Sequence, residues 1–165
     1  MRLQPAQAVL EGASFPFQLP GGHAPVMIGV TDVPVELDRA DNHSPTSAQA
    51  VVVPCEVSGQ LVTGDERDWF AIQARRGEVI FIEALGQRIQ SPVDLQISVL
   101  DSSGQRELAQ FSDEVRNIGG AFPTAHLDPA GRWVCPTDGR YLIAIRNLIG
   151  GQQADPRRTY RLSVR

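Results

Sequence analysis

Short runs in which every second residue is apolar constrain the fold of this chain more than any other feature. Residues 95–99 read Leu-Gln-Ile-Ser-Val and residues 160–164 read Tyr-Arg-Leu-Ser-Val. Turns such as Asp101-Ser102-Ser103-Gly104 separate these runs. A period of two gives each strand one apolar and one polar face, as a two-sheet sandwich requires. The sequence therefore predicts an all-β, antiparallel, jelly-roll-like β-sandwich of about eight strands.

The phase of the alternation also predicts which side chains face the core. Residues 79–85 are apolar on both faces, which predicts a central strand. No stretch keeps a helical period over several turns. The predicted core residues are Phe70, Ile72, Ile80, Ile82, Leu95, Ile97, Val99, Tyr141, Ile143 and Leu162.

Changes in composition divide the 165 residues into three segments. Residues 1–37 contain short β-like pieces at 6–10, 15–19 and 26–30, so they form a strand-rich leader or the tail of a preceding domain. Residues 38–48 are polar and have the composition of a linker. Residues 49–165 form the predicted sandwich.

Charge and motif content exclude several classes of function. The formal net charge is −4 and the 15 basic residues are scattered among acids, so nucleic-acid binding through a basic face is not expected. No apolar run is long enough for membrane insertion. There is no Lys for Schiff-base chemistry, no Gly-x-Ser-x-Gly elbow and no metal-type spacing of the three His residues. We therefore expect that the chain is not an enzyme.

A series of motifs in residues 38–165 resembles the bacterial pre-peptidase C-terminal domain, a β-sandwich module of secreted proteins. The version is similar to those of large exported proteins in planctomycete-like bacteria. The matching residues are Asn42, Gly59, Gly64-Asp65, Asp68-Trp69-Phe70, Gly77, Asp94-Leu95, Asp101-Ser102-Ser103-Gly104, Asp138-Gly139-Arg140-Tyr141 and Tyr160-Arg161-Leu162.

The resemblance implies a non-catalytic accessory domain within a longer exported chain, secreted or in the cell envelope. Its role would be attachment, substrate presentation or interdomain packing. Its partners would be neighbouring domains, extracellular polysaccharide or a protein matrix. Relatives in clostridial collagenases bind calcium and collagen, so the alternative is a calcium-dependent carbohydrate- or matrix-binding module.

Calcium is the one cofactor that the resemblance implies. The ligand positions of calcium-binding relatives fall here on Asp38, Asn42, Asp65 and Asp68. Two further linker positions hold Ala40, which has no side-chain oxygen, and His43, whose imidazole is a poor ligand for a hard cation. We expect weak calcium binding or none, with Arg39 or Arg67 partly replacing the ion's charge. Alternatively, the aspartates are turn residues that accept backbone N–H bonds.

Three further residues and one loop are candidates for chemistry. Cys55 and Cys135 both fall on inward faces, so they either form a disulfide across the sandwich or remain buried thiols. Trp69 alternates out of phase with the core residues and is a candidate ligand platform, or else one of the core aromatics. Asn117 is a second ligand-binding candidate because it lies in a long irregular loop, residues 112–125.

Overall fold

The computed structural model describes residues 14–22, 24–113, 125–149 and 153–165. These residues form twelve strands and one short 3-10 turn, Gln87–Ile89. The strands are β1 (Ser14–Phe17), β2 (Val26–Gly29), β3 (Val35–Leu37), β4 (Gln49–Ala50), β5 (Cys55–Gln60), β6 (Arg67–Ala74), β7 (Val79–Leu85), β8 (Leu95–Leu100), β9 (Glu107–Phe111), β10 (Ala130–Val134), β11 (Gly139–Asn147) and β12 (Thr159–Val164).

Two five-stranded sheets form a sandwich, and β1 and β2 form a separate hairpin. The first sheet has the order β10-β7-β12-β5-β3 and the second the order β4-β6-β11-β8-β9. The predicted all-β sandwich is confirmed. Strands β5–β12 are eight in number and lie within residues 49–165; the excess over the prediction comes from the short strands β1–β4.

The expectation of purely antiparallel sheets is wrong at two edges. Strand β3 pairs with β5 in parallel, and β4 pairs with β6 in parallel. The segment between β3 and β4 carries the chain from an edge of the first sheet to an edge of the second. Each of these short strands therefore lies beside, and parallel to, a longer strand that comes later in the chain: β3 beside β5 and β4 beside β6.

The core lies between the two sheets and contains every predicted core residue. Ile143 in β11, for example, lies opposite Phe70 in β6 and Val99 in β8. The rings of Trp133 and Tyr141 meet edge to face, with their centroids 4.8 Å apart. The alternation read from the sequence therefore has the correct phase in these strands.

Strand β7 is internal to its sheet, but only one of its faces is buried. Ile80, Ile82 and Ala84 point into the core, whereas Val79 and Phe81 are exposed on the outer face. The apolar residues on both faces of this strand correctly predicted that it is internal to its sheet. Its outer face is nevertheless exposed, since Val79 and Phe81 are not covered by another layer.

The predicted boundary at residue 38 follows directly on β3, which is a full member of the first sheet. The buried side chain of Gln49 holds the linker in place: its Oε1 accepts from the N–H of Arg39 at 2.9 Å, and its Nε2 donates to the carbonyl of Leu37 at 3.1 Å. The division into leader, linker and sandwich remains a prediction. The strand predicted at residues 6–10 lies outside the described residues.

No helix in the described part of the chain is long and apolar enough to cross a membrane.

Candidate functional site

Six polar side chains meet at one end of the sandwich, where the linker joins both sheets. The backbone fixes this junction, because the N–H of Asp38 donates to the carbonyl of Ser58 at 3.0 Å and the N–H of Trp69 donates to the carbonyl of Asn42 at 2.8 Å. These contacts bring residues from the linker, the start of β6 and the start of β12 together. We call the following set the polar cluster: Asp38, Asn42, His43, Glu66, Asp68 and Tyr160.

Asp68 is the centre of the polar cluster and is completely buried. The hydroxyl of Tyr160 donates to its Oδ2 at 2.7 Å, and Nδ1 of His43 lies 3.2 Å from its Oδ1. Burial, followed by the charges of Asp38 and Glu66, raises the pKa of Asp68 to about 7, although the Tyr160 bond and His43 oppose this rise. Loss of hydration makes the ionised carboxylate costly here.

Asp38 shares the environment of Asp68. Burial raises the pKa of Asp38, and its hydrogen bonds with Asn42 and with Asp68 act in the opposite direction. Nδ2 of Asn42 donates to Oδ1 of Asp38 at 2.7 Å.

Gly59 makes room for the tyrosine of the cluster. It lies opposite Tyr160 in the β5–β12 pairing, and a Cβ at position 59 would lie 2.2 Å from Cζ of that ring. Only glycine therefore lets the ring lie across β5 and place its hydroxyl on Asp68.

A groove of about 920 Å³ opens over the polar cluster. Its lining includes Asp38, His43 and Glu66 from the cluster, together with Leu37 and Asp65. The side chain of His43 is 45% exposed, and Leu37 is 76% exposed. Nine of the thirteen residues that line the groove are polar or charged, and Leu37 is its most exposed large apolar residue.

The structure brings three of the four residues predicted as calcium ligands into the cluster. Asp38 bonds to Asn42 and interacts with Asp68, whereas Asp65 is exposed and lines the groove. The sequence analysis did not predict Glu66 as a member of the cluster. Its position two residues before Asp68 was the one feature of the sequence that could have indicated it. Tyr160, already part of the family motif, was not predicted as a cluster residue.

The cluster does not fit calcium, which takes roughly six to eight oxygen ligands. Three of its oxygens already accept hydrogen bonds: Oδ1 of Asp38 from Asn42, Oδ2 of Asp68 from Tyr160, and Oε2 of Glu66 from the backbone N–H of Thr63 at 2.8 Å. An imidazole occupies a position where calcium-binding relatives offer an oxygen.

The expectation that Arg39 or Arg67 supplies positive charge to the cluster is wrong. Arg39 pairs with Asp41 at 3.0 Å, and the Arg67 guanidinium lies over the Trp69 ring, 5.8 Å from its centroid. The cluster residue that can carry positive charge beside Asp68 is His43.

Trp69 does not offer an open platform for a ligand. Its ring is 5% exposed and packs in a small apolar cluster on the outer face of the second sheet, beside Ala71, Leu100, Leu142 and Ala144. Ala48 of the linker packs against the same cluster, which is why a residue out of phase with the core is still buried. The other candidate, Asn117, lies outside the described residues.

Of the two alternatives for Cys55 and Cys135, the structure has the second: both are free, buried thiols. Cys55 lies in β5 and Cys135 follows β10, so β7 and β12 separate them within one sheet. Three interstrand spacings amount to roughly 14 Å, whereas a disulfide needs Cα atoms within about 7 Å. Burial raises the pKa of the Cys55 thiol to about 11, and Sγ of Cys135 donates to the carbonyl of Thr137 at 2.9 Å.

The sequence matches no protein-family model and no curated protein. The pre-peptidase C-terminal domain of collagenase from Bacillus anthracis is similar in structure, with a TM-score of 0.49 and 16% identity over 82% of this chain and 100% of that chain. It is the class of domain that the sequence motifs resemble. PliG, a periplasmic inhibitor of g-type lysozyme, is also similar in structure. The protein from Aeromonas hydrophila has a TM-score of 0.44 and 15% identity, and the protein from Salmonella Typhimurium has a TM-score of 0.41 and 12% identity. Both matches cover 72% of this chain and 97% of the PliG chain.

Proposed function

We propose that this chain is a non-catalytic accessory domain of an exported bacterial protein, and that the groove over the polar cluster is its attachment surface. The observation that carries the proposal is the groove itself, about 920 Å³ in volume, with exposed Leu37 at its rim. A preformed concave surface that combines apolar contacts with fixed polar groups is the usual form of a binding site.

The state of the side chains favours binding over catalysis. Asp68 and Tyr160 are buried and bonded to each other, so they hold the linker and the two sheets in register. The Cys55 thiol has a pKa of about 11 and is un-ionised at neutral pH, where only the thiolate is a strong nucleophile. Asp68 and Tyr160 therefore support the fold around the groove.

Export, and partners such as neighbouring domains, extracellular polysaccharide or a protein matrix, are supported by the sequence motifs that resemble the pre-peptidase C-terminal domain. The proposed roles are attachment, substrate presentation and interdomain packing. Attachment to an insoluble polymer can be tested on the chain alone.

The experiment is co-sedimentation of the 165-residue chain with collagen fibrils, cellulose and chitin, in a chelator and again in millimolar calcium. We expect retention on one of these polymers in the chelator. Leu37→Asp should weaken retention about tenfold or more, and Val52→Asp, at an exposed site away from the groove, is the matched control.

Equal weakening by the two variants, or no retention on any polymer, would overturn the proposal. Retention that depends on calcium would replace it with the calcium-dependent binding module. Turnover of a peptidase, esterase or glycosidase substrate that a single point change abolishes would contradict the non-catalytic assignment.

A further inference from the structure

The cluster's mismatch with calcium points to a different cation. We propose that His43, Glu66 and Asp68 bind a divalent transition-metal ion of the zinc class on the floor of the groove. This inference goes beyond the proposed attachment function, because it concerns a site that the chain would possess with or without a polymer partner.

The spacing of the three donor atoms suits such an ion. Nδ1 of His43 lies 3.2 Å from Oδ1 of Asp68 and 3.8 Å from Oε1 of Glu66, and the three ligand atoms all lie within 4.8 Å of one another. A tetrahedral ion with bonds of about 2.0–2.2 Å separates its ligand atoms by roughly 3.3–3.6 Å. Small side-chain adjustments would therefore close the three atoms around one ion.

The chemistry of the donors distinguishes this ion from calcium. An imidazole nitrogen with two carboxylate oxygens is a common ligand set for zinc and related ions, whereas calcium prefers oxygen alone. The polar cluster also contains an unsatisfied polar atom, which belongs to Asn42, the residue before His43. Its Oδ1 is buried and has no hydrogen-bond partner, while its Nδ2 is bonded to Asp38 within the polar cluster.

The atoms not used for the metal are already held in place. Tyr160 donates to Oδ2 of Asp68, which leaves Oδ1 for the ion, and the N–H of Thr63 donates to Oε2 of Glu66, which leaves Oε1. Outer hydrogen bonds of this kind orient metal ligands and raise affinity.

The site opens towards the groove. The side chain of His43 is 45% exposed and lines the groove together with Glu66. A fourth coordination position would face this opening, so water or a carboxylate of a bound partner would complete a tetrahedral shell.

The test uses the untagged chain stripped with a chelator and then titrated with zinc or, as a spectroscopic probe, cobalt(II). We expect one zinc per chain, a raised melting temperature, and a visible cobalt(II) absorption band of tetrahedral intensity. His43→Gln and Glu66→Gln should each weaken zinc binding about tenfold or more. His126→Gln, at a histidine outside the cluster, is the matched control and should bind zinc like the parent chain.

Circular dichroism verifies that each variant is folded. Equal zinc binding by the parent chain and His43→Gln, no binding by the parent chain, or a larger stabilisation by calcium than by zinc would each overturn the inference. These outcomes leave co-sedimentation in the chelator unaffected, so failure of the metal site and failure of the proposed function are distinguishable.

Discussion

Asp68 shows at the scale of a single residue how the fold changes the chemistry of a side chain. In an unfolded chain its carboxyl has an ordinary pKa of 3.8, and in the folded domain that pKa is about 7. The folded state thus binds the proton more tightly than the unfolded state does. Its contribution to stability is complete below about pH 4 and is lost as pH rises towards about 7.

We predict that Asp68→Asn flattens this pH dependence, because an amide has the shape of the protonated carboxyl and does not titrate. The titratable groups that face Asp68 are Asp38, His43, Glu66 and Tyr160. Thermal melting in a chelator at about pH 5 and about pH 8 measures the effect. The parent chain should lose more stability between the two conditions than the variant, and parallel pH profiles would contradict the assignment.

A second prediction concerns Gly59, whose missing side chain admits the ring of Tyr160. Gly59→Ala places a methyl group 2.2 Å from Cζ of that ring, so the ring must move and its bond to Asp68 must lengthen or break. We expect a loss of about 1–3 kcal/mol in the free energy of unfolding, measured in urea. Ser58→Ala, at the exposed neighbouring position, should change stability by less than about 0.5 kcal/mol; equal effects would show that the close approach is unimportant.

At the scale of elements, alternation predicted β5–β8, β11 and β12, which have six to nine residues, enough for a period of two to be visible. The short strands β1 and β2 coincide with the β-like pieces at 15–19 and 26–30, whereas β9 and β10 were not predicted. Strands β3 and β4 have three and two residues, and their parallel pairing is set by where the linker passes between the sheets. Asp128 shows the same limit, because its buried carboxylate accepts backbone N–H bonds from residues 86–88, about forty positions earlier in the chain.

The core prediction belongs to this scale. Ile97 in β8 and Ile143 in β11 are fully buried between the sheets, so truncating either to Ala removes packing and leaves a cavity. We expect each change to lower the free energy of unfolding by roughly 2–5 kcal/mol. Val52→Ala, at a residue that is 80% exposed, is the control for urea denaturation. Losses below about 1 kcal/mol at both core positions would show that the sandwich packs differently.

At the scale of the whole molecule, the candidate site was only partly predictable. The motif resemblance placed Asp38, Asn42 and Asp68 together, since linker and turn are close in the chain. The contact between Tyr160 and Asp68 spans 92 positions and exists only because β12 pairs beside β5.

The choice between a disulfide and two buried thiols, which the sequence left open, is decided at the same scale. The inward-facing positions of Cys55 and Cys135 correctly predicted that both side chains are buried. The distance between the two thiols, however, depends on the order of the strands in the sheet. That order places the two thiols in one sheet with two strands between them, and a single sequence contains no local signal for it.

The central claim is that the polar end of the sandwich is the binding end. Backbone amide chemical-shift mapping with a soluble fragment of the polymer retained in co-sedimentation tests this most directly. We predict that the shifted amides lie around the groove, in residues 37–43, 58–67 and 159–160. Shifts confined to the opposite end around residues 75–78 and 138–139, or to the exposed face of β7 and β10, would contradict the account.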